Sequence, residues 1–193
     1  MTVAMGTTST VGTTSAAGAQ SAGSPTKHDP IPSARALRGP LVYTTAIASD
    51  WIDYNGHLRD AYYSLVLSYA CDALMDRLGL DNQYRRATCC TLYTLEQHLH
   101  FLHEVLHSDQ LELSVRLLGS DRKRLHVGFD FYCARYNTPV AVGELMLLHV
   151  RQGGRPAAET FPPSIITAIE ALRTETMELA APGFESRRIE LRR

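Results

Sequence analysis

A single helical pattern set among strand patterns constrains this chain more than any other feature. From Leu58 to Leu78, Ala61, Leu65, Tyr69 and Ala73 recur at helical spacing, flanked by Tyr62, Val66, Ala70 and Leu74, which makes a broad apolar stripe. Gly79 stands where a helix ends on glycine. Upstream, "LVYTTAIAS" has the β-branched and aromatic content of a strand. Downstream, after a short connection containing "DNQYRRA", come four strand-like runs: "TLYTLEQHLHFLH", "DQLELSVRLLG", "RLHVGFDFYCAR" and "PVAVGELMLLHVR". Leu111, Leu113, Val115 and Leu117 alternate onto one face of the second, and Leu125, Val127, Phe129 and Phe131 onto one face of the third. "GSDRKR" and "RYNTP" carry turn chemistry, so consecutive strands are expected to pair antiparallel. A lone helix with a wide apolar stripe must be covered, and strands flank it on both sides in sequence. The expected fold class is therefore α+β, an antiparallel sheet wrapped around one long central helix. After two prolines, "SIITAIEALRTE" predicts a short C-terminal helix with Ser164 as its N-cap.

The beginning of the chain has a different texture. Residues 1–38 are mostly Ser, Thr, Gly and Ala with almost no large apolar side chain. Such a segment cannot bury enough surface to offset its ordering entropy, so a disordered tail is expected there. It lacks the basic start and apolar centre of a signal peptide and the Arg richness of a transit peptide. Residues 39–178 form the expected domain and 179–193 an extension. The 193 residues are 45% apolar and 20% charged, enough for one domain with a real core. A net charge of −1 gives no general attraction to nucleic acid or to an anionic membrane. Charged or His residues interrupt each apolar run before it reaches the length of a membrane span. Cys71, Cys89, Cys90 and Cys133 make neither a Cys-x-x-Cys pair nor a secreted framework, and read as reduced, mostly buried thiols of a cytoplasmic protein.

The junction before the long helix is unusual. Asp53-Tyr54-Asn55-Gly56-His57-Leu58-Arg59-Asp60-Ala61-Tyr62-Tyr63 packs an aspartate, a tight turn and a helix start into eleven residues. This Asp-x-x-Gly-His followed by Ala-Tyr-Tyr resembles the hotdog-fold acyl-CoA thioesterases of the 4-hydroxybenzoyl-CoA thioesterase type, over roughly Leu41 to Arg173. "DWIDYNGH" looks most like the betainyl-CoA thioesterases of carnitine degradation. "EQHLHFLHEV" and "ELMLLHV" resemble two of that family's strands. Arg59 departs from the pattern, because the family's usual residue there is Asn. The resemblance implies a hotdog fold, a homodimer with active sites at its interface that assembles further in some cases, and hydrolysis of a CoA thioester without metal or other cofactor. A short polar acyl group such as betainyl is the first expectation, a medium- or long-chain acyl-CoA the second. A module that binds acyl-CoA without hydrolysing it is a third, which Arg59 keeps open.

Thioester hydrolysis needs a nucleophile or base beside the carbonyl carbon and donors aimed at the developing oxyanion. A helix N-terminus supplies such donors, because its first N–H groups are unpaired and its dipole favours negative charge. Asp53 is the candidate nucleophile or base, and main-chain N–H groups near Arg59 and Asp60, with Asp60 first by family position, are the candidate oxyanion donors. Asp53 also suits an Asx-turn or an N-cap, and Gly56 is more simply explained by turn geometry than by the close approach of a ligand. His57 is either a packing residue at the helix start or a group that orients Asp53 or contacts substrate. Glu96 and His98 share a strand face, as a buried polar pair, a subunit contact, or a second carboxylate positioning water beside a substrate-contacting histidine. Trp51, Tyr54, Tyr62, Tyr63, Tyr69 and Tyr93 read first as core and dimer packing, and second as a cage for a quaternary ammonium group. "DRKR" reads as a solvated turn, with a contact to coenzyme A phosphates as the second reading. The histidines at 98, 100, 103 and 107 lack the spacing of a known metal site.

Overall fold

A computed structural model describes residues 38–179 and Gly183. They fall within one contact unit, residues 32–193. The expected tail and nearly all of the expected extension lie outside the described residues. Strand β1 (Leu41–Ala46) leads through a 3₁₀ turn (Ser49–Trp51) to the long helix α1 (Asp60–Arg77) and a short helix α2 (Asn82–Thr88). Strands β2 (Cys90–Phe101), β3 (Gln110–Ser120), β4 (Arg124–Tyr132) and β5 (Ala141–Arg151) follow, then a two-residue strand β6 (Ala157–Ala158) and helix α3 (Pro163–Thr176). The sheet runs β1-β3-β4-β5-β2, with β6 beside β5. All five pairings are antiparallel. The α+β layout expected from the sequence is the one formed.

Alternation along the strands decides which face meets α1. Leu111, Leu113, Val115, Leu125, Val127, Phe129, Phe131 and Leu147 are fully buried in one core cluster with Val66, Leu67, Ala70 and Leu74 of α1. The helix is rotated from its expected orientation. Its buried residues are Tyr63, Val66, Leu67, Ala70, Cys71, Leu74 and Met75, whereas Ala61 and Tyr69 are exposed. Two neighbouring helical rows are apolar, and the sheet takes the row that packs most closely. Gly143 of β5 shows why: a Cβ there would lie 2.8 Å from Leu67 Cδ2, so a side-chain-free position lets Leu67 settle onto the strand. The outer row is not wasted, since Tyr69 packs at 6.0 Å against Tyr43 of β1.

Two local expectations need correction. "DNQYRRA" is helical rather than a plain connection, because the Asp81 side chain caps it by accepting from the Tyr84 N–H at 2.8 Å. Ser164 is not the cap of α3. Pro162 holds that place and Pro163 opens the helix, where a missing N–H leaves nothing unsatisfied. Gly79 ends α1 with φ +82° as expected. Three of the four cysteines are buried and Cys89 is exposed, all unbridged, and burial pushes the Cys71 thiol up to about 12.

Candidate active site

The segment from Trp51 to Asp60 is held by a dense set of main-chain bonds. The Asp53 N–H donates to the His57 carbonyl (2.8 Å) and the Gly56 N–H to the Asp53 carbonyl (3.1 Å), closing a tight turn. Gly56 has φ +82°, and a Cβ there would meet nothing within 4 Å, so the turn itself requires the glycine. The Leu58 N–H donates to the Val105 carbonyl (2.8 Å) and the Arg59 N–H to the Trp51 carbonyl (3.0 Å). Arg59 also reaches the Ile52 carbonyl through Nε at 3.3 Å.

The Asp53 carboxylate is asymmetric in this setting. Oδ1 accepts from the main-chain N–H of Asn55 (2.8 Å) and of His57 (3.0 Å). Oδ2 receives just a long contact from the Asn55 side-chain amide at 3.4 Å. The His57 N–H above all holds this carboxyl below the usual aspartate range, so it is ionised near neutral pH. One oxygen thus fixes the turn, and the other is left with a single long contact. The Asx-turn and the reactive carboxylate are compatible on one side chain.

Helix α1 opens without a side-chain cap. Arg59's N–H is taken up by Trp51, while among the described residues no hydrogen bond is recorded from the Asp60 N–H. The Asp60 side chain turns back to accept from the Ala61 N–H at 2.8 Å. Of the two donors expected near the helix start, Asp60's is the one left open. Asp53, His57, Leu58, Asp60, Tyr63, Phe101, Leu102, His103 and Glu104 line a single open cleft of about 360 Å³.

Other expected site residues lie elsewhere. Gln97 of β2 bonds to Ser64 of α1 (2.8 Å), so Glu96 and His98, its neighbours in the strand, point to the opposite face of the sheet. There they line a separate cavity of about 220 Å³ with His126, Glu144 and Met146. Glu144, 9% exposed, meets His126 Nε2 at 2.5 Å and His98 Nδ1 at 3.9 Å. Within one chain this cavity is distinct from the Asp53 cleft. The six aromatic residues are dispersed rather than gathered. Trp51 stacks on Tyr62 at 5.1 Å, and Tyr63 is buried against Phe101 and Phe131. Tyr54 is 93% exposed, and Tyr93 accepts a bond from Gln152 (3.3 Å). Packing claims most of them. In "DRKR", Asp121 accepts from the N–H groups of Lys123 and Arg124 and pairs with the Arg124 side chain, and the Lys123 N–H first among these bonds pulls its carboxyl down to about 2. Among the described residues no group of three or more His, Cys, Asp or Glu is placed to hold a metal ion, and no helix is long and apolar enough to cross a membrane.

Residues 47–169 match the Thioesterase-like superfamily, a stretch that contains the strapped turn, α1 and all four long strands after it. The chain belongs to that superfamily. It is 46% identical over 140 residues to the betainyl-CoA thioesterase of Pseudomonas aeruginosa PAO1, covering 72% of this chain and 87% of that protein. It is 40% identical over 126 residues to the L-carnitine dehydrogenase/betainyl-CoA thioesterase of Agrobacterium fabrum C58, covering 65% of this chain and 25% of that longer protein. Among solved structures, a Pseudomonas putida KT2440 protein superposes with a TM-score of 0.71 at 39% identity, covering 80% of this chain and 98% of that one. A Staphylococcus aureus protein solved in complex with CoA superposes with a TM-score of 0.74 at 26% identity, with the same coverage.

In this member of the thioesterase-like superfamily, sequence reasoning missed five cleft residues: Leu58, Phe101, Leu102, His103 and Glu104. Phe101 is the last residue of β2, and residues 102–104 beyond it carry no periodicity to place them. The signal lies in the partner strap. Val105 is fully buried and receives the Leu58 N–H, which brings its predecessors beside the helix start.

Proposed function

We propose that this protein hydrolyses a coenzyme A thioester, with betainyl-CoA as its substrate, and that Asp53 and the Asp60 N–H are the reacting pair. One observation carries the reading: a carboxylate held ionised, with one oxygen that takes just a single long contact, lines the same cleft as Asp60, whose main-chain N–H makes no hydrogen bond among the described residues. The Asp53 oxygen attacks the carbonyl carbon or takes a proton from a water that does so. The charge that moves onto the carbonyl oxygen then meets the Asp60 N–H and the positive end of the α1 dipole. His57 stands beside Asp53 in the turn and shifts the carboxyl further down by its proximity, a lesser effect than its N–H bond. The acyl group is supported by the 46% identical betainyl-CoA thioesterase of Pseudomonas aeruginosa and the 40% identical two-part enzyme of Agrobacterium fabrum. The coenzyme portion is supported by the Staphylococcus aureus structure held with CoA.

The working unit in this reading is a cytoplasmic homodimer. Strand β2 lies at one end of the sheet, is twelve residues long, and is exposed from Tyr93 to His98. A long unpaired edge invites a second copy of itself. The activity is tested by thiol release from a panel of betainyl-CoA, butyryl-CoA and decanoyl-CoA. The expected order of kcat/KM places betainyl-CoA first. Release from decanoyl-CoA as the fastest would transfer the reading to long acyl chains, and release from none would leave a binding module.

A further inference from the structure

We propose that Glu104 seats the positive end of the acyl group and sets the preference for a cationic over a neutral thioester. This rests on the reading of the acyl group above. In a betainyl thioester the quaternary nitrogen is bonded to the methylene next to the carbonyl carbon. With ordinary N–C–C geometry, that nitrogen lies about 2.5 Å from the reacting carbon. A fixed cation so close to the carbonyl must enter the same cleft as the attacking carboxylate.

The cleft is suited to that charge. Its nine lining residues include three carboxylates and no Lys or Arg. Two of the carboxylates have other tasks. Asp53 is committed to its turn and to the carbonyl, and Asp60 accepts from the Ala61 N–H at the helix start. Glu104 remains. Its Oε1 accepts the Tyr136 hydroxyl at 3.0 Å, and Tyr136 in turn stacks on His103 at 4.4 Å, so the carboxylate is held in place from outside the cleft. Its own main-chain N–H, then the Tyr136 hydroxyl, keep the carboxyl below the usual glutamate range. The basic groups near it are Arg135 and His57. The Arg135 guanidinium binds both oxygens of Asp109 and touches Glu104 through the main-chain carbonyl (2.9 Å), so its charge is largely met by Asp109. Phe101, 53% exposed, offers an aromatic surface in the same cleft for the methyl groups.

The test compares betainyl-CoA with 3,3-dimethylbutanoyl-CoA, its uncharged isostere, in the full-length protein and in Glu104→Gln. The expected result is a drop in kcat/KM of roughly fivefold for betainyl-CoA, the scale of an exposed charge pair, with a clearly smaller change for the isostere. Added salt should narrow the preference more in wild type than in Glu104→Gln, a difference that a merely structural role would not produce. Tyr136→Phe, which keeps the charge and releases its anchor, should move the preference in the same direction by less. An equal fall for both thioesters, or no change in their ratio, overturns the role of Glu104 while leaving the hydrolase reading intact. A wild type that releases thiol from neither would end both.

Discussion

The smallest unit of the argument is the Asp53 side chain, which has two oxygens in two roles. An Asn at this position keeps an oxygen able to accept from the Asn55 and His57 N–H groups, so the turn survives while the charge is lost. Asp53→Asn is expected to leave the melting temperature close to wild type and to lower kcat by about 10²–10⁴-fold, measured by thiol release. The pH dependence follows from the same bonds. The folded pKa is depressed from 3.8, so the stabilising contribution is present above the unfolded value and is lost as pH falls through the folded one. Between pH 5 and 7 Asp53 therefore stays ionised, and kcat/KM should be flat across that range, with Asp53 contributing no limb. A limb inside that range would instead assign the proton transfer to a group other than Asp53. Arg59, where the family pattern has Asn, changes little at this scale. Its N–H and Nε strap the loop to Trp51 and Ile52, and it is not among the cleft residues, so its presence does not remove the Asp60 donor.

At the scale of elements, periodicity made most of the fold legible. The alternation of Leu125 to Phe131 fixes a strand and its inner face, and the strand is buried on that face. The rotation of α1 was not legible, because two adjacent rows of the helix are apolar and the choice between them depends on what the sheet offers. Gly143 makes that choice, and a glycine in a strand gives no hint of its partner. The position yields a prediction. Gly143→Ala places a methyl group 2.8 Å from Leu67 Cδ2, and Leu67 is fully buried. Overpacking of this kind costs about 1–3 kcal/mol, and the substitution should lower the midpoint of urea unfolding without changing its slope. An unchanged midpoint would show that the helix does not depend on this close approach. The site was legible for the same reason that α1's start was: Asp53, Gly56 and Asp60 are adjacent in sequence. Glu104 was not, since it reaches the cleft through the pairing of Leu58 with Val105, a contact between segments far apart in the chain.

At the scale of the whole molecule, the sheet ends abruptly. Strand β2 bonds to β5 along one side, and its other side carries an exposed run with Leu95 at 52% exposure beside a bulge. Proteins rarely leave such an edge uncovered, and a second copy pairing antiparallel through β2 would continue the sheet across two chains. The same pairing would bring the end of β2, where Phe101 stands half exposed beside the Asp53 cleft, close to the partner. Sedimentation at micromolar concentration should therefore give a dimer. Leu95→Lys places a charge on the edge and should raise the dissociation constant by roughly tenfold or more, equivalent to about 1.4 kcal/mol of lost association. Thiol release measured during dilution separates two arrangements of the site. If the partner completes the cleft, specific activity of Leu95→Lys falls as its dimer dissociates, and wild type holds its activity to lower concentration. If each chain works alone, specific activity is constant while sedimentation shows monomers. A wild type that sediments as a monomer would remove the edge pairing altogether and leave the exposed face of β2 without a structural purpose.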